Sequence, residues 1–338
     1  MNDIEIERAL GVNEPRVNTE EALARFRERV QEQRALPHAP IAHRRLSRRL
    51  LQSLAAAAGV VVVASALTLS GVADSIFTIF EPRRVVGVPV TQNDLNYLGT
   101  ACAGLDLQQC LGAYGTFTWT TPPQPREVRS LSAAANAAGF SVQAPSSLPA
   151  SISGPVRYGV INQSSATFTF SADSTRQAAT RVGRTAPPLP ANIDGSKLIV
   201  TGGPAVFQIW GAPASTQTRG DLSGLPTLVV GQAKAPVVTS DGVTVDQLRG
   251  YLLQQPGISP QLAAAIRAIG DPATTLPVPV PAELAISHPV RVQGVEGLFI
   301  GDNTGIASAV IWQKDGMMYE VVGSLTEAQA LDIANSMR

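Results

Sequence analysis

Leu50–Ala73 constrains this chain more than any other feature: twenty-four residues without a charge, ten of them Leu or Val, with the run Val60–Val63 at the centre. As a helix rising 1.5 Å per residue it would extend roughly 36 Å, more than the ~30 Å hydrocarbon core of a bilayer. Its Leu and Val residues favour insertion by roughly 3–6 kcal/mol in total, before deductions for Gln52, Ser53, Ser65 and Thr68. A buried core helix is the soluble alternative, but uncharged runs this long are rare in soluble helices. The sequence predicts a transmembrane helix over 50–73, with the lipid bilayer as a partner of the chain.

The flanks set its direction. Arg44, Arg45, Arg48 and Arg49 stand directly before the span, whereas Arg83 and Arg84 follow only after Asp74 and Glu81. The positive-inside bias therefore predicts a single-pass protein of the cell membrane, N-terminus cytoplasmic and C-terminal domain extracytoplasmic. A cleaved secretory signal is the competing reading, because Gly71-Val72-Ala73 resembles a small-residue cleavage site. The long polar approach and the length of the apolar run favour an uncleaved signal anchor. Lys plus Arg and Asp plus Glu both number 26, so no global field recruits nucleic acid, and no direct nucleic-acid partner is expected. Charged residues are 15% of the chain, below the usual quarter, in keeping with much buried or lipid-facing surface.

Four segments follow: a cytoplasmic tail (1–49), the span (50–73), a membrane-proximal connector with the cysteine pair (74–121) and an extracytoplasmic domain (122–338) with a sub-boundary near 235. Within the tail, Asn18 and Glu21 form a capping-box pattern ahead of an amphipathic helix over 18–34. Leu23, Phe26 and Val30 share one face of it, and the rest is charged. That stripe either docks on a cytoplasmic partner or belongs to a solvated, marginal helix leading into the span. The arginine cluster at 44–49 also suits anionic headgroups. The tail holds His38 and His43 but no cysteine, which excludes the usual Cys/His zinc site.

Cys102 and Cys110 are the only cysteines, and both follow the span. Outside the cytoplasm they are expected to form a disulfide, worth roughly 2–3 kcal/mol for so short a loop; two free thiols are the alternative. Beyond them, short strands alternate with capped helices. Ser130 or Ser132 opens a helix that stops before Gly139. Phe168–Phe170, Lys197–Thr201 and Ala205–Trp210 read as strands, with a turn at Asn192–Gly195. Thr244 with Gln247, and Ser259 with Pro260, open two more helices; the first carries Leu248, Tyr251 and Leu252, and the second turns Leu262, Ile266 and Ile269 inward and closes at Gly270. Thr274–Pro281 is too proline-rich for a central strand and reads as an edge or connector. Val290–Val292, Gly297–Gly301, Ala307–Gln313 and Met318–Val322 read as strands, the last two joined by a turn at Lys314-Asp315-Gly316. A final helix, capped by Ser324 with Glu327 or Thr326 with Gln329, bears Leu331, Ile333, Ala334 and Met337. The class predicted is α+β: antiparallel sheet with packed helices behind one N-terminal transmembrane helix. An echo between Lys197–Trp210 and Ala307–Val322 raises the option of two related units.

Catalytic equipment is scarce. His288 is the only histidine beyond the tail and reads as structural; no Walker loop, dinucleotide fingerprint or nucleophile elbow is present. Gly301–Gly305 reads as a hairpin turn, and Asp241 and Asp246 as helix-start partners rather than paired acids. Neither enzyme activity, cofactor nor metal is expected. Trp210 and Trp312 either line a groove or fill a core, with core preferred.

The segment Ile311-Trp312-Gln313-Lys314-Asp315-Gly316, continuing through Tyr319, Gly323, Glu327 and Ile333-Ala334-Asn335-Ser336-Met337, resembles the closing part of a recurrent bacterial envelope domain of uncharacterised function. Ala137-Ala138-Gly139-Phe140, with Pro145 and Leu148-Pro149, is similar to its opening. Such domains often form the outer part of membrane-bound anti-sigma factors. The resemblance implies an envelope regulator whose outer domain senses an unknown extracytoplasmic ligand or protein and whose tail holds a sigma factor or other regulator. It implies no catalytic residue, and this tail lacks the zinc-binding His and Cys of many such proteins. An anchored ligand-binding or carrier module without a signalling role is the second expectation.

Overall fold

The computed structural model describes residues 76–94, 111–112, 114–181, 183, 185, 187–190, 192–211, 226–255, 258–303, 305 and 307–338. The tail stripe, the arginine cluster, the predicted span and both cysteines lie outside them. Among the described residues, no helix is long and apolar enough to cross a membrane.

In chain order the described strands are β1 (Phe77–Phe80), β2 (Arg84–Val90), β3 (Gly115–Thr121), β4 (Pro125–Val128), β5 (Val156–Ile161), β6 (Ser164–Phe170), β7 (Lys197–Gly202) and β8 (Ala205–Gly211). They continue as β9 (Pro226–Lys234), β10 (Val237–Ser240), β11 (Thr275–Pro281), β12 (Ala285–Val292), β13 (Val295–Asp302), β14 (Ser308–Lys314) and β15 (Met317–Gly323). The helices are α1 (Leu131–Ala138), α2 (Ala172–Arg181), α3 (Val245–Leu253), α4 (Pro260–Ala268) and α5 (Glu327–Ser336). The α+β class holds, mostly as antiparallel sheet. Residues 74–121, read from sequence as a connector, supply β1, β2 and β3 to this framework.

An antiparallel sheet of eight strands, ordered β12-β13-β14-β15-β9-β8-β5-β4, is the backbone of the fold. A second, five-stranded sheet runs β1-β10-β7-β6-β3. β7 and β8 therefore belong to different sheets, which corrects the expected echo between Lys197–Trp210 and Ala307–Val322. The physical reason lies in the link. Pro204 fixes φ negative and Gly203 does not take up positive φ, so no primed hairpin turn forms. At the other site Asp315 and Gly316 sit at φ 51° and 74°, and β14 folds straight back onto β15.

Local signals in the sequence place α1, α3, α4 and α5, but not α2. Ser130 caps α1 and Gly139 ends it at φ 71°; Thr244 with Gln247 and Thr326 with Gln329 complete reciprocal capping boxes on α3 and α5. Ser259 caps α4 with Pro260 at its first position, but the helix closes at Ile269 in extended backbone rather than at a left-handed Gly270. One face of the large sheet packs against α5: Trp210, Trp312, Tyr319 and Val321 meet Ala330, Ile333, Ala334 and Met337. Trp312 is fully buried and stacks on Tyr319 at 5.2 Å, so both tryptophans fill core.

The opposite face of that sheet is covered by a two-stranded ribbon, β2 paired parallel with β11. This is the one departure from antiparallel pairing among the described strands. Val85, Leu276, Val278 and Val280 of the ribbon pack on Leu298, Ile300, Ala309, Ile311 and Met318. The approach is close because Gly87 has no side chain; a Cβ there would stand 2.7 Å from Ser287 Oγ. β11 is an edge strand, as its prolines predict. Its even-numbered residues bond to β2, as when Thr274 O accepts from Arg84 N and Ala282 N donates to Val90 O. Pro277, Pro279 and Pro281 consequently turn their nitrogens to the free edge, where no N–H is needed.

Candidate functional site

The ribbon's outer face builds the site. Alternation along β2 puts Val86, Val88 and Val90 on that side, and along β11 Pro277 and Pro279. Val88 and Val90 pack against Leu262 and Ile266 of α4, with Leu253, Ile258 and Ile269 at the margin. The helices α3 and α4 do not close fully over the ribbon. Between them lies a groove of about 380 Å³, walled by Phe80, Val88, Val90, Leu248, Leu252 and Leu262, with Pro277 and Pro279 on its floor. The size falls within the ~300–1,000 Å³ of small-molecule sites. Leu252 is 40% exposed there, although it shares a helix with the buried Tyr251.

Every polar side chain at the groove has its partners inside the protein. Asp94, only 1% exposed, accepts from Thr91 N (2.9 Å) and Oγ1 (2.6 Å) and from Ser259 N (2.9 Å) and Oγ (3.0 Å). Burial pushes its carboxyl upward, but the hydrogen bonds from Thr91 and Ser259 outweigh that and hold it below the usual range. Asp94 thus fastens the turn after β2 to the start of α4. Arg249 spans the two helices: Nη2 lies 2.8 Å from Asp246 Oδ1, and Nη1 donates to Ile269 O at 3.2 Å. Thr275 Oγ1 accepts from Arg84 Nε at 2.8 Å.

Other candidates resolve into structure. His288 Nε2 lies 3.3 Å from Glu327 Oε2 and its ring lies against Phe299. Asp241 accepts from Lys197 N, and Asp246 sits in the first turn of α3. Asp302 to Ala307 turns β13 back into β14, as expected for Gly301–Gly305. Gln208 and Gln232 are buried, and both donate to Gln143 O. No cluster of three or more metal-ligating side chains occurs among the described residues.

Glu320 is the outlier. It is wholly buried in β15, on the face covered by the ribbon, opposite Gly231, whose missing side chain leaves room for its carboxyl. Neither carboxyl oxygen has a hydrogen-bond partner among the described residues, and burial pushes its pKa to about 8.

The site residues expected from sequence, Leu23, Phe26, Val30, Arg44, Arg45, Arg48, Arg49, Cys102 and Cys110, all fall outside the described residues. The groove walls were visible only as the apolar stripes of α3 and α4. No protein-family model matches the chain, and no curated protein matches it in sequence.

Proposed function

We propose that this chain is a single-pass envelope regulator: an outer α+β domain that binds a small apolar ligand, coupled through a helix at 50–73 to a cytoplasmic tail that binds a partner. The groove carries the binding half. It has small-molecule dimensions, and its walls are pinned by Asp94 between β2 and α4 and by Arg249 between α3 and α4. The signalling half is supported by the arginine flank at 44–49, the Leu23, Phe26 and Val30 stripe, and the resemblance to membrane-bound anti-sigma factors. The two segments bearing that resemblance lie side by side. Ala144 and Arg338 exchange backbone hydrogen bonds, and Ser146 Oγ donates to Ser336 O. That adjacency supports reading them as the opening and closure of one domain.

The test is capture of cytoplasmic partners by the full chain in its membrane. A sigma factor or other transcription regulator recovered with the native protein, and lost with Leu23→Asp plus Phe26→Asp, is the expected result. Recovery of no regulator overturns the signalling half and leaves an anchored binding module.

A further inference from the structure

We infer that the groove takes a single hydrocarbon chain, the tail of a single-chain membrane amphiphile such as a fatty acid, gripped by its methylenes while the headgroup stays in solvent. This rests on reading the groove as the ligand site and goes beyond it in naming the ligand's chemistry. A site that selects a polar metabolite keeps donors or acceptors aimed at the ligand. Here Asp94, Arg249 and Thr275 are each engaged with protein partners, so a ligand finds apolar contact alone.

The ribbon's edge does not suit a peptide. An extended peptide would bind by adding a strand to the ribbon, which needs N–H groups along the free edge. β11 presents Pro277, Pro279 and Pro281 there. If a methylene takes roughly the ~30 Å³ of a liquid water, the groove holds one chain of about ten to twelve carbons and no second chain beside it. Phe80 lines the groove and stands seven residues after Ala73, at most ~25 Å of extended chain from the end of the proposed span. Ile76 and Phe77, between the two, are exposed apolar side chains.

The experiment uses the full chain in lipid nanodiscs with a dodecanoate carrying a terminal diazirine, and in a parallel arm a diacyl phospholipid carrying the same group. After irradiation, adducts are mapped by peptide mass spectrometry, and labelling is competed with n-alkyl alcohols, carboxylates and trimethylammonium salts of six to sixteen carbons. Dodecanoate adducts are expected on 245–253 and 260–268. Competitor potency, in free aqueous concentration, should rise about fourfold per methylene (~0.8 kcal/mol) to about twelve carbons and then level off. At equal chain length, headgroup should shift potency less than threefold. Leu248→Trp, which fills the groove from a half-buried position, should cut labelling at least tenfold while β-sheet circular dichroism is retained. Labelling of the groove that follows headgroup rather than chain length, or that the diacyl probe gives equally, overturns the single-chain proposal but leaves the groove as a binding site. Labelling confined to 50–73 by both probes overturns both readings.

Discussion

The two faces of the β2–β11 ribbon are made of much the same residues and end in opposite situations. Inward, Val85, Leu276, Val278 and Val280 are sealed against the large sheet; outward, Val88, Val90, Pro277 and Pro279 border an open groove. Acids are distributed the other way round. The sealed side buries Glu320 with neither oxygen hydrogen-bonded among the described residues, while the open side gives Asp94 four donors. Apolar character does not separate a core from a site. What separates them is whether the covering layer fits: a sheet meets the ribbon flush at Gly87, whereas two short helices, joined through Arg249, leave a gap.

Breaking the sealed face should have the largest effect. Val278 is fully buried, so Val278→Asp places an unpaired carboxylate among aliphatic side chains and is expected to cost more than ~4 kcal/mol. Pro279→Asp, one residue along and exposed, should change stability by less than ~1 kcal/mol. Protease resistance and denaturant midpoints of the two variants check the contrast, and equal losses would erase the distinction between the faces.

The acid on that same face sharpens it. Because Glu320's pKa is raised from 4.5 to about 8, the folded state holds a proton that the unfolded chain releases. Its contribution is intact below pH 4.5 and is lost as pH rises towards 8, on the order of 5 kcal/mol in all. Glu320→Gln should flatten that part of the stability–pH curve and leave the variant more stable than the native protein at pH 9. A native curve that rises between pH 5 and 8 would show that the carboxyl is solvated.

How far these features were legible in the sequence depends on their range. Caps pair residues three apart, so Thr244 with Gln247 and Thr326 with Gln329 announce α3 and α5 directly. Asp315-Gly316 announces its hairpin by needing positive φ. Prolines at 277, 279 and 281 mark an edge but not its partner, because β2 lies 191 residues earlier at Arg84–Thr275. Sheet membership was likewise hidden: β7 and β8 are separated by two residues and diverge through tertiary pairing. The groove was half legible. Leu248, Leu252, Leu262 and Ile266 read as buried stripes, yet a cavity is a small difference between large packed volumes that no periodicity encodes. Asp94 carried no signal in the sequence, since its partner Ser259 is 165 residues away.

On the open side, Asp94→Asn keeps the shape but removes the charge that four hydrogen bonds stabilise. A loss of about 1–3 kcal/mol is expected at pH 7, since hydrogen bonds to a charged group are the stronger kind. The carboxyl's folded pKa is depressed below 3.8, so its contribution is present above that value and is lost as pH falls through the folded value. Native and variant stabilities should therefore converge in strong acid. α4 should also loosen first, seen as faster amide exchange over 260–268 than over α5. A uniform change in exchange would mean that Asp94 supports the whole domain and not the groove wall.

The smallest expected effect tests the flush contact itself. Gly87→Ala introduces a Cβ 2.7 Å from Ser287 Oγ and 3.2 Å from Leu298 Cδ1, so the ribbon must shift or the serine must rotate. A cost of about 1 kcal/mol is expected, the lower range for overpacking, because Ser287 Oγ is a movable atom. Ser287→Ala removes that atom, and the double variant should recover about half of the loss. Recovery would place the strain at this one contact and show that the ribbon's height is set by the absence of a side chain at 87. Additive losses would mean that the ribbon has been lifted bodily, and in that case the groove on its far side should narrow: alkyl chains should then bind the Gly87→Ala protein more weakly, although residue 87 never touches them.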